Sequence, residues 1–379
     1  MNPILCDPPI PDDAIYKPCA LRNFRVRSSA LLRGESTQLV LGFIGDSWVR
    51  GSGLPALGEP DRARYFMPGL TAALQQRYGD AGGGWCGLSY ATSNERRGGS
   101  ANSNRLYQAG TGSWTTHTND RPVPDLCTSV SSASGDVIRV TNTIGPTSGV
   151  SLHYLPGGTI DYRWNEEPWT RLALVRTGGS PVAALTGFPR HGAWTLDLRV
   201  ASGTVELAGI EHRSGNPGVR IHNFGAGGST ASQWNAVDPE DWQASLASFA
   251  CDTFLTLFGT NDQKQITPEA HRQCLEDLVR KLRLACPDAD IGLGTSPESG
   301  DTTPPRPERP MRLYRTQARS LARAAALCHI DLQPAFGSIT DYRYGGKHAL
   351  MDASLIHPGA GGIRVLEALY LSLLGKLDD

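Results

Sequence analysis

Four short segments carry residue types that could act together on an acyl group. The first is Gly45-Asp46-Ser47, which directly follows the apolar run Gln38–Ile44. A serine hydroxyl is a weak nucleophile until a base lies within hydrogen-bond reach and donors stand ready for the oxyanion. A serine at the turn after a buried parallel strand is well placed, because α/β proteins bind ligands at the carboxyl ends of their strands. The tripeptide alone is a weak signal, common by chance. The second segment is Asn223-Phe-Gly225-Ala-Gly227-Gly228-Ser229. Its glycines let the backbone approach a reacting group and expose N–H groups to a negative oxygen. Taken alone it could equally be a plain turn; as a dinucleotide loop it lacks the GxGxxG spacing. The third is Gly259-Thr260-Asn261-Asp262, where Asn261 offers a side-chain N–H donor and the competing reading is a helix-capping turn. The fourth is His357, in Asp352-Ala-Ser-Leu-Ile-His357-Pro358. An imidazole titrates near neutrality and is the default base for a serine.

His153, His191 and His212 fall in a β-rich stretch, and His271 sits on a helix where an exposed position is expected. His222, beside the Gly-rich turn, is the one serious competitor to His357. The eight cysteines include no CxxC and no Cys/His cluster of zinc-finger spacing, so no metal is expected and no cofactor is needed. Small buried thiols are the better reading of Cys251, Cys274 and Cys286.

The elements that must position these groups read as α/β in two separated parts. Apolar runs at 38–44, 219–223, 252–258, 290–295 and 329–332 are strand candidates; helical patterns fall at 68–78, 232–249, 267–285, 308–327 and 360–375. Thr267 can cap the third of these helices, with Pro268 at its first position. Alternating strands and helices imply a parallel sheet with right-handed crossovers. Between about Gly87 and Gly218 helical periodicity disappears. Short alternating stretches such as VIRVTNT, TIDYRW and AWTLDLRV, punctuated by Gly, Pro, Ser and Asn, predict a β-sandwich or jelly roll. The expected division is an N-terminal arm or edge element over 1–38, an α/β domain split into 39–88 and 219–379, and an inserted all-β domain over 89–218.

Lys and Arg number 36 against 37 Asp and Glu, which argues against a dedicated nucleic-acid binder. No apolar run approaches the ~18 residues of a membrane span, and the first residues lack the basic and apolar regions of a standard signal peptide.

The order of the four blocks (GDS, N-x-G-x-x-G, G-x-N-D, then a late His-Pro, each at a strand end) resembles the SGNH/GDSL hydrolase superfamily over about 39–88 and 219–379. The resemblance implies a three-layer, flavodoxin-like α/β/α fold. It implies Ser47 as nucleophile, His357 as base, and an oxyanion hole of the Ser47 N–H, the Gly228 N–H and the Asn261 side chain. One departure stands out. The family usually places an Asp three residues before the His, and here that residue is Ser354. Asp352 could reach the imidazole through a local bulge, a backbone carbonyl could orient it instead, or the site could be weakened; Asp352 is the favoured orienter.

Tyr78-Gly-Asp-Ala-Gly-Gly-Gly-Trp85 followed by the β-rich stretch resembles a subgroup with an inserted jelly-roll-like domain. Its members include peptidoglycan and polysaccharide O-acetylesterases and phage tail esterases, which implies an acetylated glycan substrate in an envelope or virion setting. Trp114, Trp164, Trp169, Trp194, Tyr154 and Tyr162 could stack on sugars or fill the sandwich core. Asp46, Trp48 and Asp262, beside the blocks, and Trp164 and Trp169, in the insertion, are the expected substrate-binding residues. The competing functions are a lipid esterase or thioesterase on the same site, and a non-catalytic carbohydrate-binding or virion structural module. The N-terminal arm is a candidate for assembly.

Overall fold

The computed structural model describes residues 11–51, 66–89, 106–176, 180–300, 304–338, 350–352 and 354–375. The first ten residues, with Cys6, lie outside them. The strands are β1 (Ile15–Tyr16), β2 (Gln38–Gly45), β3 (Gly84–Gly87), β4 (Leu106–Thr111), β5 (Thr115–His117), β6 (Thr128–Ser131), β7 (Val137–Asn142), β8 (Gly149–Leu155), β9 (Thr159–Trp164), β10 (Thr170–Ala173), β11 (Val182–Leu185), β12 (Trp194–Ser202), β13 (Val205–Arg213), β14 (Gly218–Gly225), β15 (Thr253–Phe258), β16 (Asp290–Thr295) and β17 (Cys328–Asp331). The α-helices are α1 (Arg22–Leu32), α2 (Ser47–Arg50), α3 (Phe66–Tyr78), α4 (Ala231–Ala236), α5 (Pro239–Ala247), α6 (Asp262–Gln265), α7 (Pro268–Ala285), α8 (Met311–Ala324), α9 (Gln333–Phe336) and α10 (Ala360–Gly375).

The main sheet runs β1-β17-β16-β15-β2-β14. All its pairs are parallel except β1 with β17, so residues expected as an arm or edge element supply an antiparallel edge strand. In chain order the parallel strands follow 2-1-3-4-5, the flavodoxin-like arrangement, whose ligand crevice opens between the first and third strands. Here those are β2 and β15, which precede Ser47 and Asn261.

Strand β2 shows why the sheet forms. Leu39, Leu41 and Phe43 enter one core, while Val40 and Ile44 enter the other. A strand buried on both faces needs apolar residues along its buried length, and Leu39–Gly45 carries no polar side chain. The first core packs α3 and α10 against the sheet through Leu70, Leu74, Leu366 and Tyr370. The second packs α4, α5, α7 and α8 through Trp234, Trp242, Leu278 and Leu321. Helix α7 begins as its residues dictate, with the Thr267 hydroxyl accepting from the Ala270 N–H and Pro268 at its first position. The single helix expected over 232–249 is instead two, because Asp238 caps a new helix at Pro239. Proline suits a first turn and not a helix interior.

The β-rich middle is a sandwich of two antiparallel sheets, β10-β9-β12-β7-β4 and β11-β8-β13-β6-β5, with β3 also paired to β13. Strand β12 buries Leu196, Leu198 and Val200 between the sheets and turns Asp197 and Arg199 outward. Cys86, Cys127, Cys251, Cys286 and Cys328 are buried thiols, and the described cysteines are free.

Candidate active site

The three strands that carry the first three blocks end level. Gly45 lies opposite Gly225 on β14 and Leu257 on β15. A Cβ on Gly45 would fall 2.4 Å from the Leu257 carbonyl oxygen, and one on Gly225 would fall 2.3 Å from the Arg50 backbone nitrogen. Only glycine allows these backbones to converge under the serine. Ser47 opens α2. The Asp46 Oδ1 caps that helix by accepting the Trp48 N–H at 2.9 Å. Asn223 ties the second block to the first, donating to the Val49 carbonyl at 3.0 Å and accepting from the Gly225 N–H.

The Ser47 Oγ and the His357 Nε2 stand 2.8 Å apart, although 310 positions separate them in the chain. A serine that donates to Nε2 requires the neutral imidazole with its hydrogen on Nδ1. Burial pushes the His357 imidazole below its ordinary value; Asp352 opposes this and Arg306 adds to it. The ring is therefore neutral at pH 7, the form a base needs.

Asp352 reaches the other side of the ring through a compact turn. Its N–H donates to the His357 carbonyl at 2.9 Å, its carbonyl accepts from Leu355, and Leu355 takes the left-handed conformation at φ 56. Met351 and Pro358 close the turn as an isolated bridge. This places the Asp352 Oδ2 at 3.9 Å from the His357 Nδ1. That is a charge contact and not a hydrogen bond. Ser354, at the position where an Asp is usual, donates its hydroxyl to the Asp352 Oδ1 at 2.5 Å and its N–H to the same oxygen at 3.0 Å.

Asn261 Nδ2 donates to the Ser229 carbonyl at 3.0 Å and makes a longer contact of 3.4 Å with the Asp46 Oδ2. The longer contact is the weaker, so an incoming oxygen competes best for that N–H. Gly228 adopts φ +78, the left-handed region. Thr230 and Gln233 form a capping box on α4 directly behind the turn.

Four of the expected substrate contacts are buried side chains. Asp46 and Asp262 are 0% exposed, Trp48 1% and Trp164 3%. Asp46 is the helix cap, and burial raises its carboxyl to about 8. Trp48 packs edge-on against Phe336. Asp262 accepts from the Ala231 and Gly259 N–H groups and lies 3.1 Å from the His271 Nδ1. His271, expected at the surface, is fully buried for that reason. Trp164 is in the sandwich core against Trp194, with Trp114, Tyr154 and Tyr162. Trp169 is half-buried, lying over the guanidinium groups of Arg199 at 3.9 Å and Arg163 at 4.5 Å. The rival His222 is sealed among Phe224 and Phe249, and burial holds it neutral.

Two neighbours of the site went unread in the sequence. Asn119, from the insertion, donates to the Gly227 carbonyl at 3.0 Å. Arg306, buried in a Pro-rich loop, donates to the Ser299 hydroxyl at 2.7 Å and acts electrostatically on both Asp46 and His357. Neither belongs to a local pattern; only tertiary folding brings them there. Among the described residues no group of three or more His, Cys, Asp or Glu could hold a metal ion, and no helix is long and apolar enough to cross a membrane.

Comparison with known proteins bears on this geometry. Residues 207–365 match the model of the GDSL-like Lipase/Acylhydrolase family. The match begins within β13 of the sandwich and takes in the second, third and fourth blocks, but not Ser47. No curated protein matches the chain. Among solved structures, one described as a peptidoglycan O-acetylesterase is 21% identical, with a TM-score of 0.71 over 96% of this chain and 99% of that chain. A catalytic mutant of an acetylxylan esterase from Geobacillus stearothermophilus is 21% identical over 42% of this chain and 73% of that chain, with a TM-score of 0.34. A family two carbohydrate esterase from Clostridium thermocellum is 11% identical over 69% of this chain and 99% of that chain, with a TM-score of 0.31. Residues 207–365 are thus similar to the GDSL-like Lipase/Acylhydrolase family, and the fold is shared along nearly the whole chain with the structure described as a peptidoglycan O-acetylesterase.

Proposed function

We propose that the protein is a serine esterase that removes O-acetyl groups from a glycan. The Ser47 Oγ attacks the ester carbonyl carbon while its proton passes to the His357 Nε2. The oxyanion that forms is held by the Ser47 N–H, the Gly228 N–H and the Asn261 Nδ2. The carbon–oxygen bond to the sugar then breaks, and the sugar oxygen takes the proton from His357. Water attacks the acetyl-Ser47 and gives one proton to His357; that proton returns to the Ser47 oxygen as acetic acid leaves, and the acid ionises in solution. Asp352 stabilises the imidazolium through charge. The single observation that carries this reading is the 2.8 Å contact between the Ser47 Oγ and the His357 Nε2.

The glycan part has its own support. The combination of an α/β domain with an inserted sandwich is shared along the whole chain with a structure described as a peptidoglycan O-acetylesterase. The turns that carry the blocks bear polar side chains: Arg50 at the end of α2, Asn119 on the Gly227 carbonyl and Asn261 on the Ser229 carbonyl. Acetate release from O-acetylated peptidoglycan and acetylated xylan, set beside p-nitrophenyl acetate and a long-chain p-nitrophenyl ester, tests the proposal. The expected result is rapid acetate release and slow long-chain hydrolysis, with Ser47→Ala reducing both by at least ~10³-fold. A wild-type protein no faster than Ser47→Ala on every ester would refute the esterase reading. Preference for the long chain would overturn the glycan part alone.

A further inference from the structure

Asn119 lies in the loop 118–127 between β5 and β6, within the inserted domain. Its Nδ2 donates across the domain boundary to the Gly227 carbonyl oxygen at 3.0 Å. The Gly227 carbonyl and the Gly228 N–H belong to one planar trans peptide, so fixing the oxygen fixes the direction of the N–H on its opposite side. Among the described residues, the Asn119 Nδ2 is the one heavy atom outside the turn that a Cβ on Gly228 would meet within 4 Å, at 3.8 Å.

Asn119 holds this contact at a disadvantage to itself. Its backbone is left-handed at φ 66, which few residues other than glycine, Asn and Asp adopt. Among the described residues its buried amide oxygen has no hydrogen-bond partner, and a buried unpaired acceptor is destabilising. The loop behind it is firm. Val123, Leu126 and Cys127 pack into the same core as Phe224 and Ala226 of the second block, and Arg121 pairs with Glu206 at 2.6 Å.

We infer that Asn119 is a positioning residue: by holding the Gly227 carbonyl it aims the Gly228 N–H at the acyl oxygen, which makes the insertion part of the catalytic apparatus. This rests on the esterase reading above for its consequence, though not for its geometry. Asn119→Gly keeps the left-handed backbone and removes the donor; Asn119→Asp keeps the shape and replaces the donor with an acceptor. Both are expected to lower kcat on p-nitrophenyl acetate by about tenfold with KM within about twofold, a fraction of what loss of a whole oxyanion donor produces. Both are also expected to shift the Gly228 amide resonance and speed its hydrogen exchange in the substrate-free protein. Unchanged exchange and resonance in both variants overturn the inference, as does wild-type kcat in both while Ser47→Ala is inactive. If the wild-type chain hydrolyses no ester, the esterase reading falls, and the exchange result alone upholds or overturns the positioning role.

Discussion

Replacing Asp352 by Asn asks whether a charge 3.9 Å from the base matters when no hydrogen bond joins them. The imidazole becomes an imidazolium as the serine proton transfers, so a nearby carboxylate lowers the barrier by its attraction for that positive charge. At 3.9 Å two unit charges attract by about 4 kcal/mol at an effective dielectric of about 20, and by about 1 kcal/mol in bulk water. The two side chains are 15% and 21% exposed, between these limits. About 2 kcal/mol follows, or a fall in kcat of roughly 30-fold. The same substitution should move the acid limb of the pH profile. Asp352 raises the His357 pKa against the lowering effect of burial. Without it the pKa falls further, the ring stays neutral to lower pH, and the mutant keeps more of its maximal activity at pH 5 than the wild type keeps of its own. The assay is kcat and kcat/KM on p-nitrophenyl acetate from pH 4.5 to 8. A loss near 10⁴-fold would mean that the carboxylate closes to a hydrogen bond during turnover. A loss under twofold with an unmoved acid limb would refute the electrostatic reasoning and leave orientation to the backbone.

In the wild type, kcat/KM should rise with pH about a midpoint below the ordinary 6.5 of histidine, because burial disfavours the charged ring and the neutral ring is the active one; a midpoint above 6.5 contradicts this. Asn261→Ala should reduce kcat by about 10²–10³-fold with little change in KM, measured on the same ester. Asp262→Ala strips the Ala231 and Gly259 N–H groups and His271 of their buried partner. It should destabilise by about 3 kcal/mol or more and lower Tm by about 4 °C or more in a thermal melt.

How far the sequence reaches depends on whether a feature is local. The strand β2 was legible because a strand buried on both faces must be apolar along its buried length. Helix α7 was legible because Thr267 and Pro268 mark its start. The four blocks were legible because strand-end turns need particular small or polar residues at fixed spacing. Asp352 could be named but its distance could not, since that depends on Leu355 entering the left-handed region and on Ser354 occupying one carboxylate oxygen. The aromatic residues of the insertion show the opposite limit. Composition places Trp in the sandwich, but whether Trp164 faces a sugar or Trp194 is decided by the strand register, Leu196 opposite Trp164. His271 read as exposed because its helix is polar around it; its true partner, Asp262, belongs to the third block.

The insertion meets the α/β domain through a buried junction and not a hinge. Strand β13 of the sandwich is followed after a short turn by β14 of the main sheet, and β3 pairs with β13. Trp85 on β3 packs edge-on against His153 and Phe249, and His153 stacks on Phe249 while its Nδ1 lies 2.9 Å from the Ser245 hydroxyl on α5. Beneath them Glu211 on β13 pairs with Arg220 on β14 at 3.2 Å, both nearly inaccessible to water. Swinging the sandwich away would wet Trp85 and Phe249, at about 1.5–3 kcal/mol for each large apolar side chain. Disturbing the Glu211–Arg220 pair would add about 3–5 kcal/mol. The open state would then be populated below about one molecule in 10⁴, so the contact of Asn119 with the Gly227 carbonyl is held by the junction. The two domains should therefore unfold together in urea, giving coincident transitions by tryptophan fluorescence and far-ultraviolet circular dichroism. Trp85→Ala should shift both midpoints equally. Two separated transitions in the wild type would show that the sandwich is an independent body and that its contact with the Gly-rich turn is not enforced by the fold.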